Sequence, residues 1–162
     1  MAEIGFYHLT RTTLEQALPR LLEKVLASDL RAVLRAGSAE RLDLLDRHLW
    51  TYAPDSFLPH GTAADGFAED QPVWLTTGTD RPNRAQVLLL ADGADPEIAG
   101  FERVIDLFDG NDPQAVAAAR ERWKARRAEG HRLVYWRQDE RGRWVRQQET
   151  GGTPSAGEDG SL

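Results

Sequence analysis

Cysteine is absent from this 162-residue chain. Disulfide bonds, thiol catalysis and thiolate metal sites are therefore excluded. No apolar run approaches the roughly 20 residues that a membrane-spanning helix needs. The opening residues, MAEIGFYHLT, place no basic group before an apolar core, so they do not resemble a secretory signal. We expect a cytoplasmic protein that contacts no membrane.

The usual signatures of cofactor chemistry are also missing. The sequence has no Gly-x-x-x-x-Gly-Lys loop, no Gly-x-Gly-x-x-Gly after its first strand and no Gly-x-Ser-x-Gly elbow. Its four histidines lack the i,i+4 spacing of a zinc-binding helix. We therefore predict that the protein is not an enzyme and that it holds no cofactor and no metal.

What the chain does have is an uneven distribution of charge. Its net charge is −6, and its 41% hydrophobic and 28% charged residues are the balance of an ordinary globular domain. Residues 120–146 contain ten Arg and Lys against four Asp and Glu, a net charge of +6. The rest of the chain therefore carries −12, which predicts one basic surface on an acidic body.

Strand and helix patterns alternate along most of the chain. This order predicts a single three-layer α/β domain over residues 1–147, with a mostly parallel central sheet and helices on both faces. Residues 148–162 are acidic and glycine-rich, and we expect a disordered tail. Helix N-caps are predicted at Thr12 or Thr13, at Ser38, and at Asn111 or Asp112. The predicted strands cover residues 4–9, 30–36, 73–76, 85–90, 103–108, 133–137 and 143–147.

The main candidate surface lies on the last predicted helix. Its residues are three or four positions apart and share one helix face: Arg120, Trp123, Lys124 and Arg127. The other side is rich in alanine, which predicts that it packs on the sheet and that Trp123 points outward. Such a surface suits a partner that offers carboxylates and an aromatic side chain. Two alternatives remain: Trp123 is a core residue, or the surface binds single-stranded nucleic acid directly.

Three aspartates, Asp106, Asp109 and Asp112, follow one another at intervals of three around the end of a predicted strand. Open α/β sheets bind ligands at that edge. A magnesium site there would make the protein a magnesium- or nucleotide-dependent enzyme that uses Asp106 and Asp109. The simpler interpretation is one strand-end, one turn and one helix-cap aspartate.

A second candidate surface is the segment from Trp50 to Gly61. It carries Trp50, Tyr52, Phe57 and Leu58 around two prolines, in a long stretch without helical or strand periodicity. These side chains either pack into the core or form an exposed protein-binding patch. His60 is predicted to be fixed by its own turn rather than to act as a general base.

Three stretches resemble the chi subunit of bacterial DNA polymerase III holoenzyme. They are FYHL (6–9), LLDRHLWTYAPDSFLPHG (44–61) and VIDLFDGNDPQAVAAARERWKARRAEGHRLVYW (104–136). Their order and spacing agree with that family over nearly the whole chain before the tail. The resemblance implies a domain that is similar to nucleotide-binding folds but has no nucleotide site, and a function without catalysis.

The family resemblance also implies a partner for the basic helix. Chi subunits bind the acidic C-terminal peptide of single-stranded DNA-binding protein, which ends in Ile-Pro-Phe, and so connect the clamp loader to coated DNA. By resemblance, the peptide site comprises Arg120, Trp123, Lys124 and Phe108, and Arg127 extends the same cationic face. DNA would be reached only indirectly, and we expect the chain to be a monomer on its own.

For the aromatic segment, the resemblance implies a clamp-loader partner. The residues that match the family's contact with its small psi subunit are Trp50 and Phe57. Because psi does not accompany every chi subunit, another clamp-loader subunit or a helicase are alternative partners. The hairpin around Gly142 and the tail beyond Gln147 extend past the shorter chains of the family.

Overall fold

A mostly parallel seven-stranded sheet organises the described part of the chain, which in this computed structural model comprises residues 2–52, 58–91 and 93–150. The strands are β1 (Glu3–Leu9), β2 (Ala32–Arg35), β3 (Val73–Thr76), β4 (Val87–Leu90), β5 (Arg103–Asp109), β6 (Arg132–Gln138) and β7 (Trp144–Thr150). Their order is β3-β2-β4-β5-β1-β6-β7, and only β7 is antiparallel to its neighbour. The α-helices are α1 (Leu14–Ala27), α2 (Ala39–Thr51) and α3 (Pro113–Ala128).

Each helix begins at a side chain that the sequence marks as an N-cap. Thr13 forms a capping box with Gln16, Ser38 accepts a hydrogen bond from the backbone N–H of Arg41, and Asp112 accepts one from Gln114. The predicted caps are confirmed. No helix among the described residues is long and apolar enough to span a bilayer.

The helices cover both faces of the sheet, as predicted. One core cluster joins α1 and α2 to one face. The other cluster joins α3 and the segment around Ile98 and Phe101 to the opposite face. The chain leaves β1 towards α1 and leaves the neighbouring strand β5 towards α3, so the two connections diverge at the carboxyl edge of the sheet. A crevice of about 630 Å³ lies there.

The predicted hairpin joins β6 to β7. The carboxylate of Asp139 accepts hydrogen bonds from the backbone N–H groups of Arg141 and Arg143, at 2.8 and 2.9 Å, and Gly142 takes a positive φ of 78° that favours glycine. Strand β7 continues to Thr150, so residues 148–150 belong to the sheet rather than to the predicted tail. Residues 151–162, the remainder of that tail, lie outside the described residues.

One buried arginine fastens a long connection to the sheet. Arg35, at the end of β2, is 1% exposed. Its Nη1 donates to the carbonyl oxygens of Asp95, at 2.8 Å, and Glu97, at 2.5 Å. Burial lowers the pKa of this guanidinium, and the nearby charge of Asp95 opposes that effect. The Arg35 side chain thus holds the segment between β4 and β5 against the sheet.

We expect Arg35→Met to lower the free energy of unfolding by about 2–4 kcal/mol, because two carbonyl groups lose their buried donor. Arg31→Met is the matched control: its Nη1 also donates to two carbonyls, of Glu69 and Asn83, but Arg31 is exposed. The control should cost less than about 1 kcal/mol. Urea unfolding measures both, and equal losses would contradict the role of burial.

Candidate functional site

Helix α3 lies on the sheet in an orientation that differs from the alanine-based prediction. Ala119 is buried, but Ala118 and Ala125 are exposed. Trp123, four positions after Ala119, shares the inward face and packs partly buried against the core. The predicted outward orientation of Trp123 is therefore wrong in part: its ring enters the helix–sheet interface, and only a portion remains accessible.

Two aromatic side chains of the sheet lie beneath the Trp123 ring and pack against it. The Trp123 ring packs edge-to-face on Phe6, with centroids 5.3 Å apart, and on Tyr135, at 5.8 Å. Phe6 and Tyr135 are neighbours in register on β1 and β6. Trp123 therefore belongs both to the core and to the surface of the candidate site.

An ion pair fixes α3 next to these rings. Arg122 donates from Nε and Nη2 to both carboxylate oxygens of Asp106, at 2.7 and 2.8 Å. Asp106 is buried, and burial raises its pKa although Arg122 opposes that effect. Both oxygens of Asp106 are thus engaged in holding the helix.

The other two aspartates of the sequence pattern also have local partners. Asp109 accepts a hydrogen bond from the backbone N–H of Asn111 at 2.9 Å, and Asp112 caps α3. No group of three His, Asp or Glu side chains that could hold a metal occurs in the described ranges. Asp106, Asp109 and Asp112 thus have the strand-end, turn and helix-cap roles of the simpler interpretation.

The floor of the site is a row of side chains on the face that α3 covers. Phe108 on β5 and His8 on β1 are in register and belong to the floor, and Arg137 on β6, in register with His8, borders it. Phe108 is only 2% exposed, so its ring supports the floor from beneath. The His8 ring packs on Phe108 at 5.1 Å, and His8 Nδ1 lies 2.5 Å from the hydroxyl of Tyr135.

Gly110 allows the His8 ring to lie close to the turn after β5. A Cβ atom at Gly110 would lie 2.0 Å from Cδ2 of His8 and 2.7 Å from the carbonyl oxygen of Leu9. Sequence reasoning missed both His8 and Tyr135 as site residues. The one available signal was alternation in β6, where residues 133, 135 and 137 must share a face.

The floor is uncharged and its rim is cationic. Burial lowers the pKa of His8, and the positive charges of Arg137 and Arg120 lower it further. Burial also raises the pKa of Tyr135, against the effect of the same two arginines. Near neutral pH, therefore, a neutral imidazole and a neutral phenol lie beside positive charges.

The cations of α3 are available to an incoming anion. Arg120, Lys124 and Arg127 are exposed. Lys124 lies 3.4 Å from Glu121, and because both side chains are largely exposed this pair is weak. Within the described residues, no ion pair involves Arg120 or Arg127. The arrangement suits an acidic ligand with an apolar end.

The described residues of the segment from Trp50 to Gly61 differ in exposure. Leu58 is buried, whereas Trp50 is 50% exposed near the end of α2. Phe57, the other residue predicted for a clamp-loader contact, lies outside the described residues. The Trp50 ring rests on the buried ring of His60, with centroids 4.6 Å apart.

One ring nitrogen of His60 makes a hydrogen bond, and the other lies close to a carboxylate. Nδ1 lies 2.6 Å from the carbonyl oxygen of Leu58 and donates to it, which fits the predicted fixing of His60 by its own turn. Nε2 lies 3.1 Å from the carboxylate of Asp46 on α2. Burial raises the pKa of Asp46, and the neighbouring His60 opposes that effect. The Trp50 ring therefore packs on a buried imidazole ring that is itself held by its own turn.

Comparisons with known proteins agree with one another. A family model described as "DNA polymerase III chi subunit, HolC" matches residues 1–134. A "Probable DNA polymerase III subunit chi" from Rickettsia prowazekii is 30% identical over 117 residues, which are 67% of this chain and 71% of that protein. The subunit chi proteins of Pseudomonas aeruginosa and Haemophilus influenzae are 28% and 27% identical, over 73% and 79% of this chain and 82% and 92% of their own lengths.

We expect Arg122→Met to cost about 3–5 kcal/mol in unfolding free energy, because it leaves the buried carboxylate of Asp106 without its partner. The double variant Asp106→Leu with Arg122→Met should recover most of that loss, since apolar pairs replace buried ion pairs at little cost. Chemical denaturation of the two variants tests this. A double variant no more stable than the single one would contradict it.

Proposed function

The chain belongs to the DNA polymerase III chi subunit family, and we propose that it acts as a non-catalytic adaptor. In this role it binds the acidic C-terminal peptide of single-stranded DNA-binding protein and links it to the clamp loader. The adaptor is a monomer on its own, reaches DNA only through its partner, and works in the bacterial cytoplasm with the rest of the replication machinery.

The observation that carries this proposal is the cationic rim of α3 above an uncharged aromatic floor. Arg120, Lys124 and Arg127 are exposed beside the partly buried ring of Trp123. Guanidinium groups pair with carboxylates in a fork geometry, and the ring supplies apolar contact area. An acidic peptide with an aromatic C-terminal residue offers both features, and Phe108 supports the floor from below.

A role without catalysis is consistent with the occupation of the acidic and basic groups near the site. Asp106, Asp109 and Asp112 hold α3 and its preceding turn. His8 is hydrogen bonded to Tyr135 within the floor. In the proposed role, these groups shape a binding surface and transfer no proton to a substrate.

The proposed clamp-loader contact is on the other side of the molecule. Trp50 lies on α2, which packs on the opposite face of the sheet from α3. We propose that Trp50, together with Phe57, binds a clamp-loader subunit, either psi or its equivalent. A half-exposed tryptophan that packs on a buried ring is the kind of residue that dominates protein interfaces. Because the two surfaces lie on different faces, both partners bind at once.

We expect Arg120→Ala to weaken binding of the C-terminal peptide of single-stranded DNA-binding protein about 10-fold or more, because a charge-assisted pair is lost. Amidation of the peptide's terminal carboxylate should also weaken binding. Arg20→Ala, on the exposed side of α1, is the control and should bind like wild type. Titration by fluorescence anisotropy at low salt decides. Equal affinity of wild type and Arg120→Ala, or no binding by wild type, would refute the peptide site.

We expect Trp50→Ala to weaken binding to the clamp-loader subunit about 10-fold or more, while the unfolding free energy changes by less than about 1 kcal/mol. Leu44→Ala removes a side chain of similar exposure, 48%, from the same helix and should change the affinity less than about twofold. Calorimetric titration with the purified subunit measures both. Equal effects of the two substitutions would count against a specific role of Trp50.

A further inference from the structure

The end of the sheet lies outside the part of the chain that the family model matches. That match stops at residue 134, within β6. The rest of β6, the hairpin turn and β7 follow it, and this outer part of the sheet also borders the peptide site.

On the α3 side, the outer strands form an open surface, which we call the shelf and define as Tyr135, Arg137 and Val145. Tyr135 and Arg137 alternate on β6 and so share a face, and Val145 pairs in register with Arg137. Arg137 is exposed, Tyr135 is partly exposed and Val145 is 40% exposed. Among the described helices only α3 covers this face, and it packs on β5, β1 and β6.

Arg137 and Arg120 lie near the side chains of His8 and Tyr135 but belong to two different elements. Arg137 extends from β6 and Arg120 from α3, and both act on the pKa of His8 and of Tyr135. The negative charge of Asp109 opposes them and raises the pKa of His8. In the described ranges neither arginine has an ion-pair partner. Two uncompensated guanidinium groups thus flank one uncharged floor.

We propose that the shelf is the second half of the acidic-peptide site: Arg137 pairs with a carboxylate of the same peptide that Arg120 and Trp123 hold, and Val145 adds apolar contact. This inference rests on the proposed function. An extended peptide advances about 3.3 Å per residue and neighbouring strands lie about 4.8 Å apart, so a run of acidic residues crosses from the floor to the shelf within a few residues.

A short acidic protein segment fits this surface better than nucleic acid does. The chain carries a net charge of −6, which repels a long polyanion, whereas a short peptide needs only a local cationic patch. The rings of Trp123 and Tyr135 also pack edge-to-face on each other rather than presenting parallel faces for successive bases.

The test uses the full chain and a fluorescein-labelled peptide with four aspartates before Ile-Pro-Phe and a free C-terminus. Arg137→Ala should weaken binding about 3- to 10-fold, since a partly exposed charge pair is lost. Arg141→Ala is the matched control: it removes an exposed arginine from the turn of the same hairpin and should change affinity less than about 1.5-fold. With asparagine in place of each aspartate in the peptide, Arg137→Ala and wild type should bind alike.

The possible outcomes separate the inference from the proposed function. If Arg120→Ala weakens binding but Arg137→Ala matches Arg141→Ala, the shelf is not part of the site and the peptide site stands. If neither Arg120→Ala nor Arg137→Ala has an effect, or wild type does not bind, both proposals fail. Loss of binding to labelled oligothymidylate in Arg137→Ala, with peptide affinity unchanged, would assign the shelf to nucleic acid instead. Unchanged thermal unfolding of Arg137→Ala excludes a folding defect.

Discussion

The ion pair between buried Asp106 and partly buried Arg122 helps to set the position of helix α3, and the rest of the candidate site depends on that position. Among the residues of α3, only Ala119 is fully buried, and the partly buried Val116 and Trp123 complete a narrow apolar stripe on the inward face. The two hydrogen bonds from Arg122 to a buried strand carboxylate supply a further constraint on the rotation of the helix. Once Ala119, Arg122 and Trp123 face the sheet, Arg120, Lys124 and Arg127 face solvent.

Such a pair contributes more to geometry than to stability. Desolvation of two charges offsets most of the attraction between them, so a buried ion pair is weak evidence for a stable fold. Its directional hydrogen bonds nevertheless allow one helix rotation and penalise others. In this chain the rotation determines which charged residues of α3 form a surface and which, like Arg122 and Arg126, pack against the rest of the fold.

The sequence indicates local structure well and long-range packing poorly. Thr13, Ser38 and Asp112 could be predicted as helix caps because capping depends on neighbours a few positions away. The inward face of α3 could not be predicted, because it depends on Asp106 in another element and on the rings of Phe6 and Tyr135. His8 and Tyr135 are 127 positions apart, and no local pattern connects them. Arg137 was not predicted as a site residue for the same reason, because its neighbours on β1 and β7 become adjacent only in the sheet.

The placement of α2 and α3 on opposite faces of one sheet has a kinetic consequence for the proposed adaptor. A partner held at Trp50 is kept within a few nanometres of a peptide held at Arg120, which raises its local concentration far above that in free solution. Each contact then need not be strong, because rebinding after a single dissociation is fast while the other contact persists. Weak, separately exchangeable contacts allow the assembly to release and recapture one partner without losing the other.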